Sequence, residues 1–139
     1  MDLLVNIDVP DLQQAAAFYC AAFGLVRGRQ LGPAAVELLG AQAPIYLLEK
    51  PQGTGSSGPG TQARSYARHW SPVHLDFVVD DIDAALARAV AAGAKVEQPV
   101  KTANWGKLAM LADPFGHGVC LVQFVGRGYD ELAVTGPAG

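Results

Sequence analysis

An α+β fold made of two copies of a strand–helix–three-strand unit is predicted by three features of this 139-residue chain. The stretch Val5-Asn6-Ile7-Asp8-Val9-Pro10-Asp11-Leu12 alternates apolar and polar residues, meets an aspartate and enters an alanine-rich run. The stretch Val73 to Asp83 does the same, with Asp81 standing 70 positions after Asp11. Each alanine-rich run then leads into three short strand-like segments. Four strands with one helix cover a single face of a sheet, so the other face must meet a partner or line a cavity. Two such sheets curled toward each other form a mixed-sheet cup, and the cup is where chemistry is expected.

In chain order, Leu3 to Val9 is the first strand, with Leu3, Val5, Ile7 and Val9 on one face and Leu4, Asn6 and Asp8 on the other. Asp11-Leu12-Gln13-Gln14 fits a capping box for a helix that ends near Ala22, stopped by Gly24. Strands are expected near Leu25–Gln30, near Ala35–Leu39 and at Ile45–Lys50. In the second half, strand Val73–Val79 places Leu75, Phe77 and Val79 on one face and His74, Asp76 and Val78 on the other. A helix from Asp81 to about Ala92 follows, closed by Gly93. Strands near Lys95–Val100, Lys107–Ala112 and Val119–Phe124 complete the unit, and Asp113-Pro114-Phe115-Gly116 makes the last tight turn. The division is therefore residues 1–50 as the N-terminal module, 51–72 as a linker rich in Gly, Ser and Pro, 73–125 as the C-terminal module and 126–139 as a tail whose end frays, the modules forming one domain. The Gly53 to Gly60 run is no phosphate loop, because no Gly-Lys-Ser/Thr follows it.

Composition narrows the function. Half the residues are hydrophobic and 17% are charged, which supports a packed core. A formal net charge of −3 without a Lys/Arg cluster speaks against nucleic acid as a partner. No apolar run reaches the roughly 20 residues of a membrane span, and the first residues lack a secretory pattern. Cys20 and Cys120 lie in apolar surroundings and read as reduced thiols, so a cytoplasmic location is expected.

Two segments carry a family resemblance. His74-Leu75-Asp76-Phe77-Val78-Val79-Asp80-Asp81 and Asp113-Pro114-Phe115-Gly116-His117-Gly118-Val119-Cys120-Leu121-Val122-Gln123, with the degenerate earlier copy of the first, resemble the vicinal oxygen chelate superfamily. That group includes glyoxalase I, bleomycin-resistance proteins, fosfomycin-resistance proteins and extradiol dioxygenases, built from paired βαβββ modules. The resemblance covers roughly Leu4 to Phe124. In metal-using members, the first and last strands of each module supply four ligands to an ion that chelates neighbouring substrate oxygens. The matching positions here are Leu4, Tyr46, His74 and Cys120, and only His74 is an ordinary ligand. Leu4 has no donor atom, and Tyr46 and Cys120 would each have to lose a proton first. A register shift in the fourth strand would offer Glu49 instead of Tyr46. No cofactor is expected; a divalent metal would need a rearranged set, such as Glu49 and Asp76 converging with His74.

The candidate site follows. His74 is read as a general base or polar anchor, or as a histidine bonded only to a neighbour. Asp76 and Asp8 face inward beside Asn6, and a buried carboxylate there requires water, Arg, Lys or a ligand. Alternatively, Asp8 and Asp76 lie close enough across the seam for one to act as an acid or base. His74 and Asp76 are the catalytic candidates, and Asn6, Tyr46, Trp105 and Cys120 the pocket candidates. Arg64, Arg68, His69 and Trp70 end the linker, either as a short helix offering two arginines to an anion or as a solvated face, and His117 is expected to be exposed in its turn. The favoured function is metal-independent binding of a small organic molecule. The alternatives are a divalent-metal lyase or dioxygenase with a rearranged ligand set, and acid–base catalysis at His74 without metal. The resemblance and the open sheet edges also imply a homodimer.

Overall fold

A computed structural model describes residues 1–55 and 62–134. Each half runs strand, helix, three strands: β1 (Val5–Val9), α1 (Leu12–Phe23), β2 (Val26–Gln30), β3 (Ala35–Leu39) and β4 (Ile45–Glu49), then β5 (Leu75–Val78), α2 (Ile82–Ala92), β6 (Lys95–Thr102), β7 (Gly106–Ala112) and β8 (Gly118–Phe124). The two four-stranded sheets have matching orders, β1-β4-β3-β2 and β5-β8-β7-β6. In each, the first strand runs parallel to the last, and the other pairings are antiparallel. The sheets are not closed into a barrel. A single 3-10 turn, Gly128–Glu131, follows β8.

The internal likeness extends to the helix starts. Asp11 accepts from the Gln14 amide at 2.9 Å and Asp81 from the Ala84 amide at 3.1 Å. The next free amide of each helix is held from the last strand of its own module. Leu12 N donates to Glu49 Oε2 and Ile82 N to Gln123 Oε1, both at 2.9 Å. Each helix is therefore capped twice, once locally and once by its sheet. Gly24 ends α1 with φ +68°, its N–H bonded to the Cys20 carbonyl at 3.0 Å.

Three elements depart from expectation, the first being β1, which begins at Val5 rather than Leu3. β5 begins at Leu75 rather than Val73. The Ser71 hydroxyl bonds the Val73 carbonyl at 2.8 Å and receives its amide at 3.3 Å, so a local turn competes with the ladder and His74 stands just before the strand. β6 reaches Thr102, with register shifts on either side of Gln98. It tolerates Pro99 because it is an edge strand. Between the modules, residues 53–55 pair back on 63–64. The rest of the glycine-rich run, residues 56–61, and the tail end, residues 135–139, lie outside the described residues.

The core lies between the helices and the inner sheet faces: Val9, Leu12, Tyr19, Leu38 and Leu47 from one half, and Ile82, Leu111 and Leu121 from the other, are nearly or fully buried. The halves meet through the helices. Phe23 of α1 stacks on Phe77 of β5 with centroids 4.0 Å apart, and Arg88 of α2 donates to the Ala22 carbonyl at 3.1 Å. Phe77 and Val79 point to this packed side, which leaves Asp76 and Val78 on the open face as the alternation predicts.

Candidate functional site

β5 and β8 run parallel with Asp76 opposite Cys120. This register, with His74 at the mouth of β5, gathers three donors on the open face of the second sheet. The ligand atoms of His74, Asp76 and Cys120 all lie within 4.8 Å of one another. His74 Nε2 is 3.3 Å from Asp76 Oδ1. The Cys120 thiol is pushed up to about 11, first by burial, then by the charge of Asp76 and the hydrogen bond the thiol gives it, and by Glu97. It is therefore a neutral S–H near pH 7.

His74 opens onto two hollows. One, of about 120 Å³, also touches Cys120, Met110, Trp70 and the Arg68–Glu97 pair. Arg68 grips Glu97 with two bonds of 2.7 Å, which lowers the Glu97 carboxyl below its usual range. The other is a groove of about 400 Å³ between β1 and the entry to β5, lined by Asn6, Asp8, His69, Ser71, His74 and His117 among others.

The remaining sequence candidates are distributed elsewhere. Asn6 lies across the groove from His74. Tyr46 stands opposite Asn6 in β4 and donates to Glu37 at 2.9 Å. Glu37 is almost fully buried, holds Arg29 at 2.7 Å, and has its carboxyl pulled down to about 2, chiefly by the Arg29 hydrogen bonds. Tyr46 is thus committed within the first sheet and is not brought to His74. Glu49 caps α1, so it is not available as a substitute ligand. Trp105 packs on Tyr129 and Phe124, with centroids 5.2 and 6.3 Å away, beside the far end of β8 from Cys120. Leu4 is exposed and offers only hydrocarbon. The four family positions therefore do not make a four-donor set. His74, Asp76 and Cys120 make a three-donor set, which would fit a divalent ion once the thiol gave up its proton.

The two carboxylates expected to face inward each have a partner, and Asp76 is exposed rather than buried. Asp8 pairs with Arg64 at 2.8 Å, and Asp76 lies 3.3 Å from His74. Arg64 and Arg68 belong to an extended segment, not a helix, and each is paired with an acid from a different module.

His117 is half-buried rather than exposed, because Asp113 ties down its turn. Asp113 Oδ1 accepts from the Phe115 and His117 amides at 2.8 and 2.9 Å, and Oδ2 from the Tyr19 hydroxyl at 2.5 Å. Gly116, at φ +87°, allows the Tyr66 and Ala67 carbonyls to come within 2.5 Å of where a Cβ would sit. This approach seats the 66–69 segment on the turn and brings His69 to His117. No local pattern foretold it, since both contacts depend on the linker folding back on the second module.

A glyoxalase-like domain family matches residues 4–122. The chain is similar to "Anthracycline biosynthesis protein DauV" of Streptomyces sp. (strain C5), at 32% identity over 120 residues, covering 86% of this chain and 40% of that protein. The chain thus spans less than half the length of that relative. It is similar in structure to TnmS3, an antibiotic binding protein from Streptomyces sp. CB03234, with a TM-score of 0.63, 26% identity and coverage of 90% and 96% of the two chains. A glyoxalase/bleomycin resistance protein/dioxygenase family enzyme from Burkholderia phytofirmans PsJN shares the fold, with a TM-score of 0.68, 21% identity and coverage of 90% and 100%. A match across nearly the whole sequence, on paired strand–helix–three-strand modules, shows that this chain belongs to the glyoxalase-like family of the vicinal oxygen chelate superfamily.

Proposed function

We propose that the protein binds a small organic molecule at the open face around His74, Asp76 and Cys120, extending into the groove toward Asn6, without needing a metal at the family's four ligand positions. The observation that carries this reading is the donor set itself. Leu4 has no donor, Tyr46 is committed to Glu37, and Cys120 holds its proton up to about 11. What remains is a neutral thiol, an imidazole and a carboxylate at the edge of two partly apolar hollows, a composition suited to orienting a ligand by a few polar contacts. The similarity to an antibiotic-binding protein and to a protein named for anthracycline biosynthesis makes flat aromatic natural products the first class to try.

The test is a thermal-shift series with anthracycline, glycopeptide and dicarbonyl compounds, with and without chelator. A ligand at a hundredfold excess over its Kd adds about 2.7 kcal/mol, several degrees of Tm. The shift should survive chelator and be lost in His74→Ala. Failure of every class to stabilise the protein counts against the proposal.

The proximity of the three donors favours a second reading, a divalent-metal lyase or dioxygenase with a rearranged ligand set. An ion there would make the cysteine a thiolate and polarise a bound oxygen. Without a metal, the His74–Asp76 pair would instead serve acid–base catalysis as the proton-handling couple. Stoichiometric zinc, nickel, manganese or iron in protein purified without chelator, lost on Cys120→Ser, would put this reading first.

We also propose a homodimer. β1 and β5 are sheet edges, and exposed Leu4 and Val78 extend apolar surface beside them. Light scattering on the eluting protein checks this, and a monomer at micromolar concentration would exclude it.

A further inference from the structure

His69 and His117 meet in the groove outside the His74–Asp76–Cys120 set. His69 Nδ1 lies 3.0 Å from the Ala67 carbonyl oxygen, and His117 Nε2 lies 2.8 Å from the Asp8 carbonyl oxygen. A carbonyl oxygen only accepts, so both outer nitrogens carry the ring proton. In the neutral tautomers the inner nitrogens, His69 Nε2 and His117 Nδ1, then present two lone pairs 3.4 Å apart. Two lone pairs facing each other repel, and the arrangement calls for a positive charge between them.

Two observations select the charge. A proton shared between nitrogens draws them to an ordinary hydrogen-bond length of about 2.9–3.0 Å. Two imidazole nitrogens on a tetrahedral ion, each about 2.0–2.1 Å from it, stand about 3.3–3.4 Å apart. The separation here is 3.4 Å. Each ring also donates its other N–H to a main-chain carbonyl, the support that fixes the tautomer of ligating histidines. The rings are held nearly perpendicular, at 86°, by their anchors.

We infer that His69 Nε2 and His117 Nδ1 form a two-histidine site for a borderline divalent cation, such as zinc, nickel or copper, with its remaining positions open to the groove. Imidazole suits these ions. Water or a chelating oxygen or nitrogen ligand completes the shell. Asp8 is not required, since its carboxylate is held by Arg64. The site uses none of the His74, Asp76 and Cys120 donors and neither reading above needs it, although its open positions face the groove that the first reading also uses.

The experiment is calorimetric titration of the chelator-stripped full chain with zinc, together with 15N spectra of the histidine rings. The Cys120→Ser protein should still take up one zinc per chain. His69→Gln and His117→Gln should each weaken binding by more than about tenfold, the loss seen even when outer-shell partners are removed. Zinc should shift the inner nitrogens of both rings and leave the outer N–H groups protonated. His69→Gln lies outside the strands and helices, and circular dichroism checks its fold. The ring spectra of the unaltered protein decide the matter if His117→Gln unfolds. Zinc uptake that survives both histidine substitutions, or that disappears in Cys120→Ser, assigns the ion to the other cluster and overturns the inference. Absence of zinc uptake overturns it equally.

Discussion

Cys120 shows how position overrides residue type. In β8 it is 5% exposed and faces a carboxylate, so its thiol is raised to about 11 and is a poor nucleophile near neutrality. In a Cys20→Ser background, alkylation of Cys120 is expected to be slow at pH 8 and to rise about tenfold per pH unit toward pH 11. Asp76→Asn removes a charge that raises the thiol, so it should speed alkylation at pH 9; mass spectrometry of the modified peptide measures both. Glu37 is the opposite case. Its carboxyl is lowered to about 2 by Arg29 and Tyr46. A carboxyl lowered in the folded state stabilises it fully above the ordinary value of 4.5 and loses that contribution as the pH falls through about 2. The Tm difference between the native protein and Glu37→Gln should therefore be constant from pH 5 to 7 and shrink from about pH 4.5 toward pH 2.

At the scale of elements, the helix starts were legible because capping is local chemistry. Asp11 and Asp81 fall where the patterns of Leu12 and Ile82 begin, and both accept from the amide three residues on. Asp81→Ala is expected to cost about 1 kcal/mol in urea unfolding, with little change in the slope. The second caps were not legible, since Glu49 and Gln123 reach Leu12 and Ile82 only after β4 and β8 lie parallel to the first strands. The same limit applies to β5. Its alternation was readable, but the Ser71 turn that shortens it was not. The helix considered for Arg64 to Arg68 fails for a related reason: each arginine finds a carboxylate from a different module, and those partners favour an extended path.

At the scale of the whole molecule, the modules are joined by a few buried contacts, of which the Tyr19 hydroxyl on Asp113 is the most telling. It ties α1 to the turn that carries His117. Tyr19→Phe is expected to destabilise the protein by about 1.5–3 kcal/mol, the range for a hydrogen bond to a charged group, as measured by chemical unfolding. It should also loosen the His69–His117 approach, visible in the ring spectra. The candidate site divides along the same seam. His74, Asp76 and Cys120 share one sheet and come together, Tyr46 stays in the other sheet, and Trp105 lies beside the opposite end of β8. The duplicated pattern, the two capped helices, the alternating strands and the scarcity of metal donors at the family positions were determined by sequence, because each rests on periodicity or on what a side chain is made of. Which donors converge, which carboxylate neutralises which arginine, and the meeting of His69 with His117 were decided by tertiary structure, because they depend on how separate segments pack across distances that no local spacing encodes.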